Sequence, residues 1–228
     1  MKILSLNLCA TYPGRSRHER LKMVRDFVLQ EGIDILLLQE GVRSCFVYNT
    51  IHKLATMVNG LSYGKTTFGW LFFWEFQVGV ISRTGDIGRP FSLGCEVPQT
   101  DFLDSLPVLC RRRVAGVRLD GITFLSVHLS SSPKTYEDRK EQFNQLTEWI
   151  KGVPRPLVIG GDWNVGPLSP ELFSPFIYAA RIDAVAPSIN GVDKVFTSEG
   201  LELLNYKMVL TEGVTDHPGG VYLELQQL

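Results

Sequence analysis

What the chain lacks narrows its class before any motif is considered. It has no excess of either charge: 23 lysines and arginines stand against 24 acids, for a net charge of −1. A protein that holds nucleic acid by bulk electrostatics is strongly basic, so only a local basic patch stays open here. Cysteine is scarce, and Cys9, Cys45, Cys95 and Cys110 form no C-x-x-C pair. That argues against a zinc site built on such pairs and against a disulfide framework, and it makes reduced thiols in a cytoplasmic setting the expectation. No apolar run approaches the roughly 18 residues a membrane span needs. The apolar part of Met1 to Ala10 is too short, and too broken by Ser5 and Asn7, to read as a signal peptide. A soluble chain is expected. No linker, charge block, repeat or low-complexity tract divides the 228 residues, of which 44% are hydrophobic. One core and one domain over residues 1–228 follow.

What is present is a set of apolar strands that end in polar groups. The clearest is Pro156 to Asn164. Leu157, Val158 and Ile159 read as a buried strand entered from a turn, followed by Gly160-Gly161 and then Asp162-Trp163-Asn164. Side chains at i and i+2 of an extended segment share a face, so Asp162 and Asn164 are expected to point together beyond the strand end. Ile3 to Leu8 alternates as a first strand with Asn7 near its end. Ser16 and Glu19 form a capping-box signature ahead of a helix marked by Leu21, Val24, Phe27 and Val28, with Gly32 suited to its C-terminus. Ile33 to Gln39 is a continuous apolar strand that ends in Glu40.

Cys45 to Val58 keeps a helical period. Phe68 to Phe76 packs six aromatics into nine residues, and reads either as a buried strand or as an exposed aromatic hairpin that meets lipid or substrate. Val78 to Ser82 is another strand, and Gly85 to Pro107 reads as irregular loop. Arg111 and Arg113 share one face of a further strand, as a solvated edge or a phosphate contact. Asp120-Gly121 signals a hairpin, whose second strand, Ile122 to Val127, ends in His128. Ser130 to Pro133 lead into a helix with Phe143, Leu146 and Ile150 on its apolar face. After Asn164 the prolines 167, 170 and 175 read as loop. Asp193 precedes an apolar pair, Leu201 to Leu210 can form a strand, and Asp216-His217 stands just before the last one, Val221 to Leu225.

Asn7, Glu40, His128, Asp162, Asn164, Asp193, Asp216 and His217 therefore all flank strands. Carboxylates and amide oxygens are hard ligands suited to Mg²⁺ or Mn²⁺. Two histidines can donate to, or exchange protons with, a phosphoryl group. The combination suits metal-assisted hydrolysis of a phosphate ester. Asn164, Ser131 and Arg113 are the candidate substrate-binding residues.

The ordered motifs resemble the endonuclease/exonuclease/phosphatase family. They are Asn7; Leu38-Gln39-Glu40; Val80-Ile81-Ser82-Arg83; Val127-His128-Leu129; Gly161-Asp162-Trp163-Asn164; Val192-Asp193-Lys194-Val195-Phe196; and Asp216-His217. Arg139 and Gln142 match a further recurring spacing. The resemblance implies an α/β fold of two mixed β-sheets packed as a sandwich, helices on the outer faces, with the site where strand ends meet. It also implies roles: Glu40 as principal Mg²⁺ ligand with Asn7 beside it and Asp216 in reach, Asp162 on the attacking water, and Asn164 on the phosphate. His217 would contact phosphoryl oxygens, oriented by Asp193, and His128 would stabilise charge.

The chain departs from the family pattern at four points. His128 stands where abasic-site endonucleases usually carry tyrosine, and Cys9 where they carry an acid. Trp163 replaces a common phenylalanine, and Lys194 follows Asp193 where tyrosine is usual. A Mg²⁺-dependent phosphohydrolase of small-molecule or lipid phosphoesters is the leading expectation, with a DNA endonuclease or exonuclease second. A non-catalytic binding module on the same fold is the reading from another class.

Overall fold

A computed structural model of the chain describes residues 1–9, 14–44, 48–70, 74–84, 114–129, 136–166, 168–188 and 191–228. Two sheets face each other. The first has seven strands. Its path runs β11 (Leu201–Val209), β12 (Gly220–Gln227), β1 (Lys2–Asn7), β2 (Ile35–Ser44), β5 (Trp74–Ser82) and β4 (Leu61–Trp70), with β3 (Tyr48–Asn49) paired to β2. The second has five, in the order β6 (Ala115–Leu119), β7 (Ile122–His128), β8 (Leu157–Asp162), β10 (Asp193–Ser198) and β9 (Ile182–Pro187). Both are mixed: β1 pairs parallel with β2 and β7 with β8, and the other pairings are antiparallel. Helices α1 (Arg17–Glu31) and α2 (Thr50–Met57) accompany the first sheet, and α3 (Tyr136–Ile150) and α4 (Pro170–Ala180) the second.

Alternation divides the apolar residues among three clusters. Ile35 and Leu37 join Val158, Val195 and Phe124 between the sheets, while Leu36 and Leu38 face the helices of the first sheet. Each central strand is thus buried on both faces, which is why it reads as an unbroken apolar run. Outside the second sheet, Trp163 packs edge-on against Phe196 and Phe176, with Phe143 and Phe173 beside it.

Local chemistry sets the ends of α1. The Ser16 hydroxyl accepts from the Glu19 N–H at 3.3 Å, and the Glu19 carboxylate accepts from the Ser16 N–H at 3.0 Å. Gly32 closes the helix at φ 66°, the left-handed conformation that costs glycine least. Helix α2 buries Ile51, Leu54 and Ala55, and Ile51 fits closest to the sheet. An added Cβ at Gly41 or Gly79 would come within 2.8 Å of Ile51 methyl carbons, and at Gly64 within 3.5 Å. Glycines on β2, β5 and β4 thus form a socket for Ile51, directly beside Glu40.

Three expectations need correction. The proline-bearing segment after Asn164 is not all loop: Pro170–Ala180 is helix α4, which buries Leu172, Phe173, Phe176 and Ala180. Pro170 sits in the first turn, where a missing N–H costs nothing, and burial of the apolar stripe outweighs the bond lost at Pro175. The helix before Val58 begins at Thr50, not Cys45, because Asn49 caps it by accepting from the His52 N–H at 3.0 Å, and Tyr48–Asn49 pairs with β2. The aromatic stretch is not one strand. Trp70 and Trp74 are register partners where β4 and β5 approach each other. The side chains of residues 65–75 lie outside the described set, as does the whole of the irregular loop expected at 85–107.

Candidate active site

The site lies at the edge of the sandwich where β1, β7 and β8 end and where β2 bulges at Glu40; β2 does not stop there, as its apolar run suggested, but resumes its pairing with β5 and runs on to Ser44. Register brings the polar residues level with one another. His128 pairs with Asp162 across the parallel β7–β8 ladder, and Asp162 with Asp193 across the antiparallel β8–β10 ladder. Gly161 makes this approach possible: at φ 158° an added Cβ would lie 1.9 Å from the Val127 carbonyl oxygen. Asn7 arrives on β1, one sheet away, and is buried.

Asn7 is the centre of the cluster. Its Nδ2 donates to Glu40 Oε1 at 3.3 Å and to Asp162 Oδ2 at 3.1 Å, and it stands 3.4 Å from His217 Nε2. Its Oδ1 accepts from the Cys9 N–H at 2.8 Å. Asn7 therefore aligns two carboxylates from opposite sheets. Glu40 leaves regular strand geometry, at φ 51° in a bulge of the β2–β5 pairing between Leu38 and Gly41. A glutamate in that conformation is strained, and the bulge re-aims its side chain toward the second sheet. There His128 Nε2 stands 3.9 Å from Glu40 and 3.5 Å from Asp162.

His217 Nδ1 meets Asp193 Oδ2 at 2.8 Å, and its Nε2 lies 3.5 Å from Asp162. Burial opposes the imidazolium and is the largest single influence. The Asp193 hydrogen bond and the charges of Asp193, Asp162 and Asp216 together outweigh it and raise the pKa to about 9. Burial, then the neighbouring Asp193 charge, pushes the Asp162 carboxyl up to about 7. Asp216 is more open and comes only within 4.0 Å of His217.

Asn164 is not where an extended strand would put it. The strand stops at Asp162, and Asn164 takes φ 50°. Its N–H donates to Asp162 Oδ1 at 2.9 Å and its Nδ2 to the Leu129 carbonyl at 2.9 Å. The same-face rule fails here because the backbone turns left-handed. Ser131 and Arg113 lie outside the described residues.

Among the described residues, two groups of side chains could hold a metal ion: Glu40, His128 and Asp162, and Asp162, Asp193 and His217. Asp216 belongs to neither. The donors are hard oxygens with imidazole nitrogen, and among the described residues no thiolate joins either group, which fits a hard divalent cation.

Sequence reasoning assigned no part to the residues that hold this cluster in place. Arg20, buried on α1, donates from Nη1 to the carbonyls of Leu8 at 2.5 Å, Cys9 at 2.7 Å and Val214 at 3.0 Å, tying the end of β1 to the segment that carries Asp216 and His217. Beneath Asn7, Gln39 Nε2 crosses between the sheets to Ser126 Oγ at 2.9 Å. Lys194 is fully buried next to Asp193. A lysine inside an apolar strand was the one signal that could have flagged it.

The sequence model of the endonuclease/exonuclease/phosphatase family matches residues 4–217, and the chain belongs to that family. It is accordingly a hydrolase of phosphoester bonds. No curated protein matches it in sequence. Solved structures share its fold at low identity. A family protein from Leptotrichia buccalis superposes with TM-score 0.73 at 15% identity, covering 99% of both chains. The Bacteroides thetaiotaomicron mannosyl-6-phosphatase gives 0.66 at 16%, again over 99% of both. D. rerio TDP2, solved with a single-strand DNA product, gives 0.67 at 14%, over 100% of this chain and 99% of its own. Among the described residues no helix is long and apolar enough to cross a membrane.

Proposed function

We propose that the chain hydrolyses small phosphate esters by direct attack of water, with Asp162 as general base. The observation that carries this reading is the convergence on Asp162: Asn7, His128 and His217 all stand within 3.5 Å of its Oδ2. A carboxyl held near pH 7 by burial is a competent base at neutral pH, since a base works best with its pKa near the working pH. Asp162 takes the proton of the attacking water. His217, kept cationic and oriented by Asp193, donates to a phosphoryl oxygen, and His128 faces the developing charge from the other side. Asn164 sits at the turn beyond Asp162 and steadies the phosphate. Glu40, with Asn7 aligning it and Asp216 at the open side, would hold a divalent cation, Mg²⁺ or Mn²⁺. Bound there, the cation supplies positive charge to the phosphoryl group.

A small substrate is favoured by the near-neutral charge of the chain and by the mannosyl-6-phosphatase among its structural neighbours. The DNA-bound neighbour keeps a nuclease as the second reading. The lipid partner rests on Phe68 to Phe76, whose described part is the paired ends of β4 and β5, and it is not carried into the proposal. The test is hydrolysis of p-nitrophenyl phosphate, bis-p-nitrophenyl phosphate, hexose phosphates and abasic or nicked DNA, each with Mg²⁺ and with EDTA. Turnover of a monoester that EDTA abolishes is expected. Faster cleavage of DNA than of any small ester would replace the substrate class, and no turnover of anything would leave a binding module on this fold.

A further inference from the structure

The segment that carries Asp162 and Asn164 is gripped from below by Lys194. Asp193 and Lys194 are consecutive on β10, so their side chains take opposite faces of the sheet: Asp193 toward the site, Lys194 outward beneath the turn that follows Asn164. The lysine is fully buried. Its Nζ donates to the Val165 carbonyl at 2.6 Å and the Gly166 carbonyl at 2.9 Å, and stands 5.2 Å from the centre of the Phe173 ring. Its own carbonyl accepts the Trp163 indole N–H at 3.1 Å. One residue therefore holds positions 163, 165 and 166, on both sides of Asn164.

Filling space does not explain a charge here. A methionine would pack against Phe173 without desolvating an ammonium, and burying a cation is unfavourable unless acceptors meet it. Burial does depress this ammonium, to about 8, against the pull of Asp193 and Asp162. What the lysine provides that an apolar residue cannot is two donors aimed at adjacent carbonyls. Those bonds fix the turn in which Asn164 holds its left-handed conformation, donates to Asp162 and reaches Leu129. Gly191 closes against the same turn, where an added Cβ would lie 2.6 Å from the Gly166 carbonyl oxygen.

We infer that Lys194 is a positioning residue that clamps the Val165–Gly166 turn and so fixes Asn164 and Asp162 against the substrate phosphate. The catalytic half of this inference rests on the roles proposed above for those two residues.

Lys194→Met tests it. The expected result is a kcat about ten- to a hundredfold lower with KM within about threefold, the pattern of misplaced groups rather than lost binding. Hydrogen exchange at the Asn164 amide, now bonded to Asp162, should quicken about tenfold. Lys194→Ala removes the equivalent of propylammonium, and adding propylammonium should restore kcat and amide protection saturably while leaving wild type unchanged. Wild-type kcat per folded molecule with wild-type exchange would overturn the clamp even if the variant melts earlier, and so would a folded alanine variant that propylammonium leaves unrescued. If wild type cleaves no phosphoester, the catalytic roles fall, and the exchange measurements alone decide whether Lys194 holds the turn.

Discussion

At the foot of the sandwich, where β2 and β8 begin, half-buried cations meet main-chain carbonyls. At the rim, where β8 ends and β2 bulges, acids meet acids. Arg83 donates from Nε to the Val58 carbonyl at 3.0 Å and from Nη1 to Ile33 at 2.9 Å and Val28 at 3.4 Å, gathering the C-terminal ends of α1 and α2. Arg155 does the same for the second sheet. It bonds Ile150 at 2.9 Å, Ala180 at 3.1 Å and Ala179 at 3.2 Å, and also Val153, joining the ends of α3 and α4. The carbonyls left over at a helix end carry partial negative charge, so a guanidinium there satisfies several at once. The rim instead holds Glu40, Asp162 and Asp193 close together, with Glu40 in a strained backbone and Asp162 pushed toward neutrality. One end is arranged for stability. The other gives up stability to gather groups that a cation and a phosphate would need.

The sharpest way to break that contrast is at Glu40. Glu40→Gln keeps the size and removes the charge. Activity should fall by at least about a hundredfold and recover in part at high Mg²⁺ or with Mn²⁺, because a hard cation loses its charged ligand. The melting temperature in EDTA should hold or rise, since Glu40 is among the charges that disfavour ionised Asp162. Steady-state kinetics beside calorimetry checks both. Full activity at ordinary Mg²⁺ would remove Glu40 from the site.

The His217–Asp193 pair comes next. Each alanine variant alone should cost about a hundredfold in kcat, and the double variant little more, because residues bonded at 2.8 Å act as a unit. A double variant that loses the product of the two single losses would show that they act independently.

The rim was largely legible in the sequence, and the foot was not. Glu40, His128 and Asp162 could be read because a polar group directly after a buried apolar run is conspicuous in one dimension. The acceptors of Arg83 and Arg155 are carbonyls, which every residue has, brought together from distant segments. No pattern of side chains announces them. Helix α4 was obscured because Pro170 and Pro175 are turn residues in most settings, although Leu172, Phe173 and Phe176 already kept a helical spacing. Asn164 was placed by an alternation rule that holds only while the strand continues. Lys194 stood out solely as a departure from a motif, and its meaning came from the turn above it.

At the foot the expected effect is on stability alone. Arg83→Met or Arg155→Met should each lower unfolding free energy by about 2 kcal/mol, the range for losing hydrogen bonds from a charged donor. The two losses should add, as the residues serve different helix pairs. Activity per folded molecule should stay within about twofold. Denaturant unfolding with active-site titration separates these outcomes, and a large kcat effect in either variant would mean that the two ends are coupled.

The contrast can be sharpened last through the pH dependence of the metal-free rim. His217 is raised from 6.5 to about 9, so the folded state keeps a proton there that the unfolded chain has lost. The stability it contributes is fully present below about 6.5 and disappears as pH rises through about 9. Asp162, raised from 3.8 to about 7, acts in the same direction lower down: the folded state holds its proton while the unfolded chain has released it, so stability falls from about pH 4 to 7. Above about 8 Lys194 opposes the His217 slope, because its lowered pKa lets the folded state lose a proton first. Unfolding in EDTA should therefore show stability declining from pH 5 to 8 and flattening beyond. Asp193→Asn should remove most of the slope above pH 6.5, and Asp162→Asn most of the slope below it. Adding Mg²⁺ should shrink the Asp162 part, since a cation beside a carboxylate favours its ionised form. A slope that neither variant changes would mean that the rim acids are not the groups that set it.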